Sequence, residues 1–192
     1  MVKKYWVFII IFSMHSFGCN EDEFLKEDPR DSIYADNLFE NYSGFYSGLN
    51  AVYSMIRNVK GPGDRMSRDM LLTMNTDVLS TRYNTINDSS EITPTFPELN
   101  DVYDWMFQLI NTTNMIISRA EGDVDWEGQN QEEDIANKNS IIAQARVARA
   151  WAYRQLIYVF GPVPLSISEV NGANYSNGWS RNSVEEIKAQ ML

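Results

Sequence analysis

One stretch of this chain leaves little freedom in how it folds. Between residues 135 and 159, Ile135, Ile142, Ala145, Ala148, Ala152, Leu156 and Val159 recur at the three- and four-residue steps of a single helix face. Ala143, Ala145, Ala148, Ala150 and Ala152 add high helix propensity and present a narrow contact surface. Gly161 ends the helix, and Pro162 and Pro164, which lack a backbone N–H, prevent a restart.

The same period organises most of the remaining chain. From about Asn37, the residues Leu38, Tyr42, Phe45, Leu49, Val52 and Ile56 define a second apolar face, widened by Tyr46 and Tyr53. Gly44 and Gly48 weaken that helix, by about 1 kcal/mol each relative to Ala, but permit close helix approach. Gly61-Pro62-Gly63-Asp64 is a stop, and a short helix is expected over Met66–Met74. The polar stretch from Asn75 to the prolines Pro94 and Pro97 reads as the longest loop, and long irregular loops in compact domains are usually functional. A further helix starts near Glu98, with Val102, Met106, Leu109, Thr113, Ile116 and Ala120 as its stripe, broadened by Trp105, Ile110 and Ile117, and ends at Gly122. Residues 123–133 and 171–180 read as polar loops. Ser183 with Glu186 forms a capping box that opens a last helix carrying Val184, Ile187 and Met191. No strand-like alternation of any length appears, so the fold class expected is all-α. The pattern is cut at Leu192 in mid-helix, which predicts an incomplete helical domain.

Composition narrows the chemistry. The 192 residues carry 16 basic and 26 acidic side chains, one His and one Cys, for a net charge of −10. A phosphate backbone demands clustered Lys and Arg, so a nucleic-acid partner is not expected. One Cys excludes a disulfide framework, and one His excludes a His-ligated metal pair. No cofactor, metal site or catalytic residue is therefore expected. Asp123, Asp125, Glu132, Glu133 and Asp134 read as solvated loop carboxylates, without calcium-loop spacing.

The N-terminus reads as an export signal. Lys3 and Lys4 precede the apolar run from Tyr5 to Phe12, which is shorter than the roughly 20 residues a membrane-spanning helix needs. The lone His, His15, lies in this leader. Cys19 sits where the run ends, after Gly18, as in a bacterial lipoprotein whose Cys is acylated on cleavage. The acidic cluster Glu21-Asp22-Glu23 after it resembles the surface-export signal of Bacteroidetes lipoproteins. The expected organisation is a lipoprotein signal peptide over 1–18, an acylated Cys19 and tether over 19–36, and a helical domain over 37–192. Pro29 keeps the tether from being one helix.

A specific resemblance lies in the Ala-rich helix and its exit. The string from Ile142 to Leu156, with Arg146, Arg149 and Tyr153, followed by Tyr158-Val159-Phe160-Gly161-Pro162-Val163-Pro164-Leu165, resembles the SusD/RagB family, with Gln144 where Glu is common. Trp105, Ile110 and Asn114 resemble the family's preceding helix, and Arg181-Asn182-Ser183-Val184-Glu185-Glu186 the start of its next one. The resemblance implies a tetratricopeptide-like helical-repeat fold, of which this chain is an N-terminal portion. It also implies a non-catalytic lipoprotein of the outer-membrane surface. Such a protein captures an oligosaccharide or polysaccharide and delivers it to a SusC-like TonB-dependent transporter. The alternative is a helical-repeat adaptor on the membrane surface that binds no glycan.

Within that frame, Arg146, Arg149 and Tyr153 read as structural, with the arginines pairing with acidic groups or carbonyls of the next helix. Gly161 and Pro164 belong to a helix stop rather than a phosphate loop. Trp105, Trp126 and Trp151 read as core or interface residues, whereas Trp179, in a polar loop, is open to either packing or sugar stacking. The glycan-binding candidates are Asp77, Arg82, Tyr83 and Asn84, with Phe96 as a platform. They join an aromatic face to donors and acceptors suited to a hydroxyl rim.

Overall fold

The computed structural model describes residues 35–60, 93 and 97–191, which belong to one compact unit, Ala35–Leu192. Its helices are α1 (Ala35–Leu38), α2 (Tyr42–Lys60), α3 (Pro97–Arg119), α4 (Gln131–Phe160) and α5 (Val184–Met191). The described residues form no strand and make only two isolated bridges, Asn41 with Asp125 and Val163 with Asn182. The all-α class expected from the periodicity is the class observed. No helix among the described residues is long and apolar enough to cross a membrane.

Contacts between α3 and α4 run in opposite senses along the two helices. Tyr103 meets Phe160, Phe107 meets Tyr153, Asn114 meets Arg149 and Glu121 meets Lys138. The two therefore form an antiparallel pair. The pair α2 and α3 is antiparallel as well, since Trp105 Nε1 donates to the Met55 carbonyl while Gly48 lies against Ile116. Helix α4 also packs against α2 and α5, which puts it at the centre of the unit.

The core follows the sequence stripes closely. Val102, Met106, Leu109, Thr113, Ile116 and Ala120 of α3 are all buried, as are Phe45, Leu49 and Val52 of α2 and Ile187 of α5. Each large apolar side chain so buried contributes roughly 1.5–3 kcal/mol. On α4, Ile142, Ala145, Ala148, Ala152 and Leu156 are buried, joined by Ile141, Arg149, Tyr153 and Gln155. The buried set is wider than one face because helices press on α4 from several sides.

Four expectations require correction. Ile135 is 53% exposed, because the apolar face of α4 begins only where α3 runs beside it. Tyr46 and Tyr53 do not widen the buried face of α2. They are 51% and 44% exposed, and the Tyr53 hydroxyl instead donates to Gln144 Oε1 at 2.6 Å. The helix expected from Asn37 is broken at residues 39–41. There Asn41 Oδ1 accepts the Gly44 N–H at 2.9 Å as a cap for α2. The turn also folds Phe39 onto Phe45, ring centroids 4.8 Å apart, and Trp126 closes the cluster 5.0 Å from Phe45. Gly44 is required by this turn, since a Cβ there would collide with the Leu38 carbonyl. Finally, residues 131–133 are helical. Asn130 Oδ1 accepts the N–H groups of Glu132 and Glu133 at 3.1 Å each. Glu132, Glu133 and Asp134 occupy the first turn of α4, where carboxylates complement the helix dipole.

The other boundaries match their chemistry. Gly161, at φ 66°, caps α4 and donates its N–H to the Ile157 carbonyl at 3.1 Å. Glu186 Oε2 accepts the Ser183 N–H at 2.8 Å, and Ser183 Oγ accepts the Glu186 N–H at 3.2 Å, which is a complete capping box.

Candidate functional site

Residues 163–170, after the α4 cap, form no helix and therefore leave backbone groups to be satisfied by other means. Side chains of α3 and α4 supply the partners. The Ser166 N–H donates to Tyr153 Oη at 2.6 Å, and that hydroxyl donates to the Ser166 carbonyl at 3.1 Å. Asn114 Nδ2 donates to the carbonyls of Ser166 at 3.1 Å and Ser168 at 3.0 Å. Asn111 pairs with Val170 in both directions, at 2.9 and 2.8 Å, as a strand residue would. Arg119 engages both carboxylate oxygens of Glu169, at 3.2 and 3.3 Å. At the far end, Asn182 Oδ1 accepts the Leu165 N–H at 3.1 Å. The segment is thereby strapped onto the helix pair.

Arg149 lies beneath this strap, 8% exposed. Its Nη1 donates to Asn114 Oδ1 at 2.8 Å and to the Ile167 carbonyl at 3.4 Å. Its Nε is buried without a hydrogen-bond partner. Burial first lowers its pKa from the ordinary guanidinium range, with Tyr153 opposing and the charge of Arg146 adding, although a guanidinium remains charged at physiological pH. Burial pushes the Tyr153 hydroxyl up to about 12, partly offset by the Ser166 N–H and the charge of Arg149. Arg146 is exposed and, with Arg149, Gln190 and Met191, lines a recess of about 260 Å³. Pro164 offers its carbonyl 3.5 Å from Tyr153 Oη. In this arrangement Arg149 and Tyr153 hold backbone, and the carbonyl partners of Arg149 come from the strap rather than from the next helix.

On the outer side of the strap lies a cleft of about 450 Å³. Tyr103, Asp104, Phe107, Gln108 and Asn111, from one face of α3, form one wall; Pro164, Ser166, Val170 and Trp179 complete it. The Tyr103 and Phe107 rings are 4.7 Å apart, and Phe160 and Tyr153 brace them edge-on at 5.3 and 6.5 Å. These edge-to-face contacts fix the two rings in place. The Tyr103 hydroxyl is raised from its ordinary 10.0, chiefly by burial, with the charge of Arg181 opposing and that of Asp104 adding. The cleft joins firmly held aromatic faces to amide, carboxylate and phenol groups.

The candidates Asp77, Arg82, Tyr83, Asn84 and Phe96 lie outside the described residues, as do Cys19, the expected tether up to residue 34 and the short helix expected over Met66–Met74; residues 35 and 36 of that tether are instead the start of α1. Of the tryptophans, Trp126 is buried, Trp105 and Trp151 are half-buried, and Trp179 is 47% exposed at the cleft. The α3 wall was not anticipated. Its signal is a second stripe of α3, Tyr103, Phe107 and Asn111 at four-residue steps, flanking the core stripe.

Comparison with known proteins adds an independent finding. A SusD-like family model, described as starch-binding and associating with outer membrane, matches residues 24–192. SusD-like protein P2 of Formosa agariphila is 23% identical over 198 residues, covering 97% of this chain and 35% of that protein. SusD-like protein P25 of the same organism is 21% identical over 168 residues, covering 81% and 30%. The chain thus spans about a third of the length of the curated relatives it matches. No solved structure matches it.

Proposed function

The chain belongs to the SusD-like family, and from that membership we propose that it is a glycan-binding lipoprotein of the outer-membrane surface. It captures oligosaccharides and delivers them to a SusC-like TonB-dependent transporter. The observation that carries this reading is the family match over residues 24–192, whose description couples starch binding to the outer membrane. The leader ending at Cys19 supports a lipid anchor, since each buried CH₂ of an acyl chain contributes about 0.8 kcal/mol. The role is binding rather than turnover, as the family description implies.

The chemistry suits the task. A pyranose ring has an apolar C–H face and a rim of hydroxyls. Aromatics stack on the face, and Asp, Asn and Arg bond to the rim. One aromatic contact contributes on the order of 1 kcal/mol, so capture takes several contacts and affinity stays modest. Asp77, Arg82, Tyr83, Asn84 and Phe96 offer such a set in the polar stretch of sequence before α3.

Calorimetric titration of the acylated chain with a panel of glycans tests the reading. Binding of at least one glycan is expected, with weaker binding for Tyr83→Ala. Retention of the transporter with no glycan bound would instead favour the adaptor alternative. An affinity unchanged by Tyr83→Ala would remove that residue from the site.

A further inference from the structure

We propose that the cleft between α3 and the 164–179 segment is a sugar subsite in its own right, built for uncharged pyranose units. This rests on the reading of the chain as a glycan-binding protein. Three observations converge on the cleft.

First, its polar groups are unspent. Around the strap, Asn111, Asn114, Tyr153 and Asn182 are engaged with backbone. The side chains of Tyr103, Asp104, Gln108 and Trp179, by contrast, form no hydrogen bond among the described residues, although all four line the cleft. They supply a phenol, a carboxylate, an amide and an indole N–H, a mixed set of donors and acceptors suited to hydroxyls. Second, the apolar surface is arranged in faces. The Tyr103 and Phe107 rings are fixed by Phe160 and Tyr153 behind them, and Trp179, 47% exposed, adds an indole from the 171–180 loop. Third, the volume of about 450 Å³ falls within the roughly 300–1,000 Å³ of small-ligand pockets.

Charge sets the class of sugar. Among the described residues, Asp104 lines the cleft and no Lys or Arg does, and the chain carries a net charge of −10. Arg181 acts on Tyr103 but is exposed and not part of the lining. A uronate or sulfated sugar would bring its anion against Asp104 with no Lys or Arg among the described lining residues to pair with it, which disfavours it. A neutral gluco-oligosaccharide meets no such obstacle.

The test uses the full chain and two probes, maltoheptaose as the neutral oligomer and oligogalacturonate as the anionic one. Maltoheptaose is expected to bind and to shift the indole N–H resonance of Trp179. Trp179→Ala and Gln108→Ala, both exposed positions, are expected to weaken it by about two- to tenfold each. Asp104→Lys is expected to raise oligogalacturonate affinity relative to maltoheptaose. Maltoheptaose binding that neither variant weakens and that leaves the Trp179 resonance unmoved would overturn the subsite while leaving the family reading intact. So would binding of oligogalacturonate alone. Failure of every glycan to bind the wild-type chain would overturn both.

Discussion

Tyr153 shows how a single side chain organises a region with no regular structure. Its hydroxyl takes the Ser166 N–H at 2.6 Å and returns a bond to the Ser166 carbonyl. Replacing Tyr153 with Phe keeps the ring but strands a buried N–H. The expected loss is about 1–3 kcal/mol, read by urea unfolding of the two chains side by side. The pH dependence has a definite sign. In the unfolded chain the phenol ionises near its ordinary 10.0, whereas in the folded chain it holds its proton to about 12. Over that window the folded state binds more protons, so stability falls as pH rises from about 10 to about 12. Tyr153→Phe should remove that alkaline slope, and its persistence in the variant would place its origin elsewhere. Arg149 is a harder case for reading by type. Its structural role follows from its place on an Ala-rich helix, but its partners are Asn114 Oδ1 of α3 and the Ile167 carbonyl of the strap rather than groups of the next helix.

Helix α4 is long and central because its contact face is small. Alanines at 145, 148 and 152 are buried against neighbours on more than one side. Ala148→Leu adds methylenes where packing is already close and should destabilise by about 1–3 kcal/mol, measurable as a lowered urea midpoint. The same change at exposed Ala143 should move the midpoint little. Helix α5 depends on its first turn. Hydrogen bonds from the Ser183 backbone N–H and then its hydroxyl hold the Glu186 carboxyl below its ordinary 4.5. The folded pKa is depressed, so the stabilisation is present above the unfolded value and disappears as pH falls through the folded one. Titration of the Glu186 side-chain carbon by NMR should give a midpoint below 4.5, and Ser183→Ala should return it toward that value.

The described unit stacks antiparallel helices around α4 and keeps a strapped segment and an aromatic cleft on one side of that stack. No described helix is long and apolar enough to cross a membrane. The proposed anchorage at Cys19 therefore carries a sharp prediction. Cys19→Ala should abolish labelling by a radioactive or clickable fatty acid and move the chain from the membrane to the soluble fraction. Retention of the variant in washed membranes would overturn lipid anchorage through that residue.

Much of the helix plan was legible in residue order, because helix periodicity and caps are local. The stripe from Val102 to Ala120 is buried at every position expected, and Ser183 and Glu186 form their box as their spacing requires. A cap needs only residues within one turn, and a stripe needs only a period, so neither awaits a distant partner. Errors arose where a residue's fate depended on what lay across from it. Ile135 has the right phase but no helix over it, while Tyr53 reaches outward to Gln144, 91 positions on. The acidic run at 132–134 has a loop-like composition but serves as a helix start, because Asn130 caps the N–H groups of Glu132 and Glu133. The cleft was invisible for the same reason. Tyr103 and Phe107 lie on α3 and Trp179 in the 171–180 loop, and only the packing of α3, the strap and that loop brings their side chains to one place.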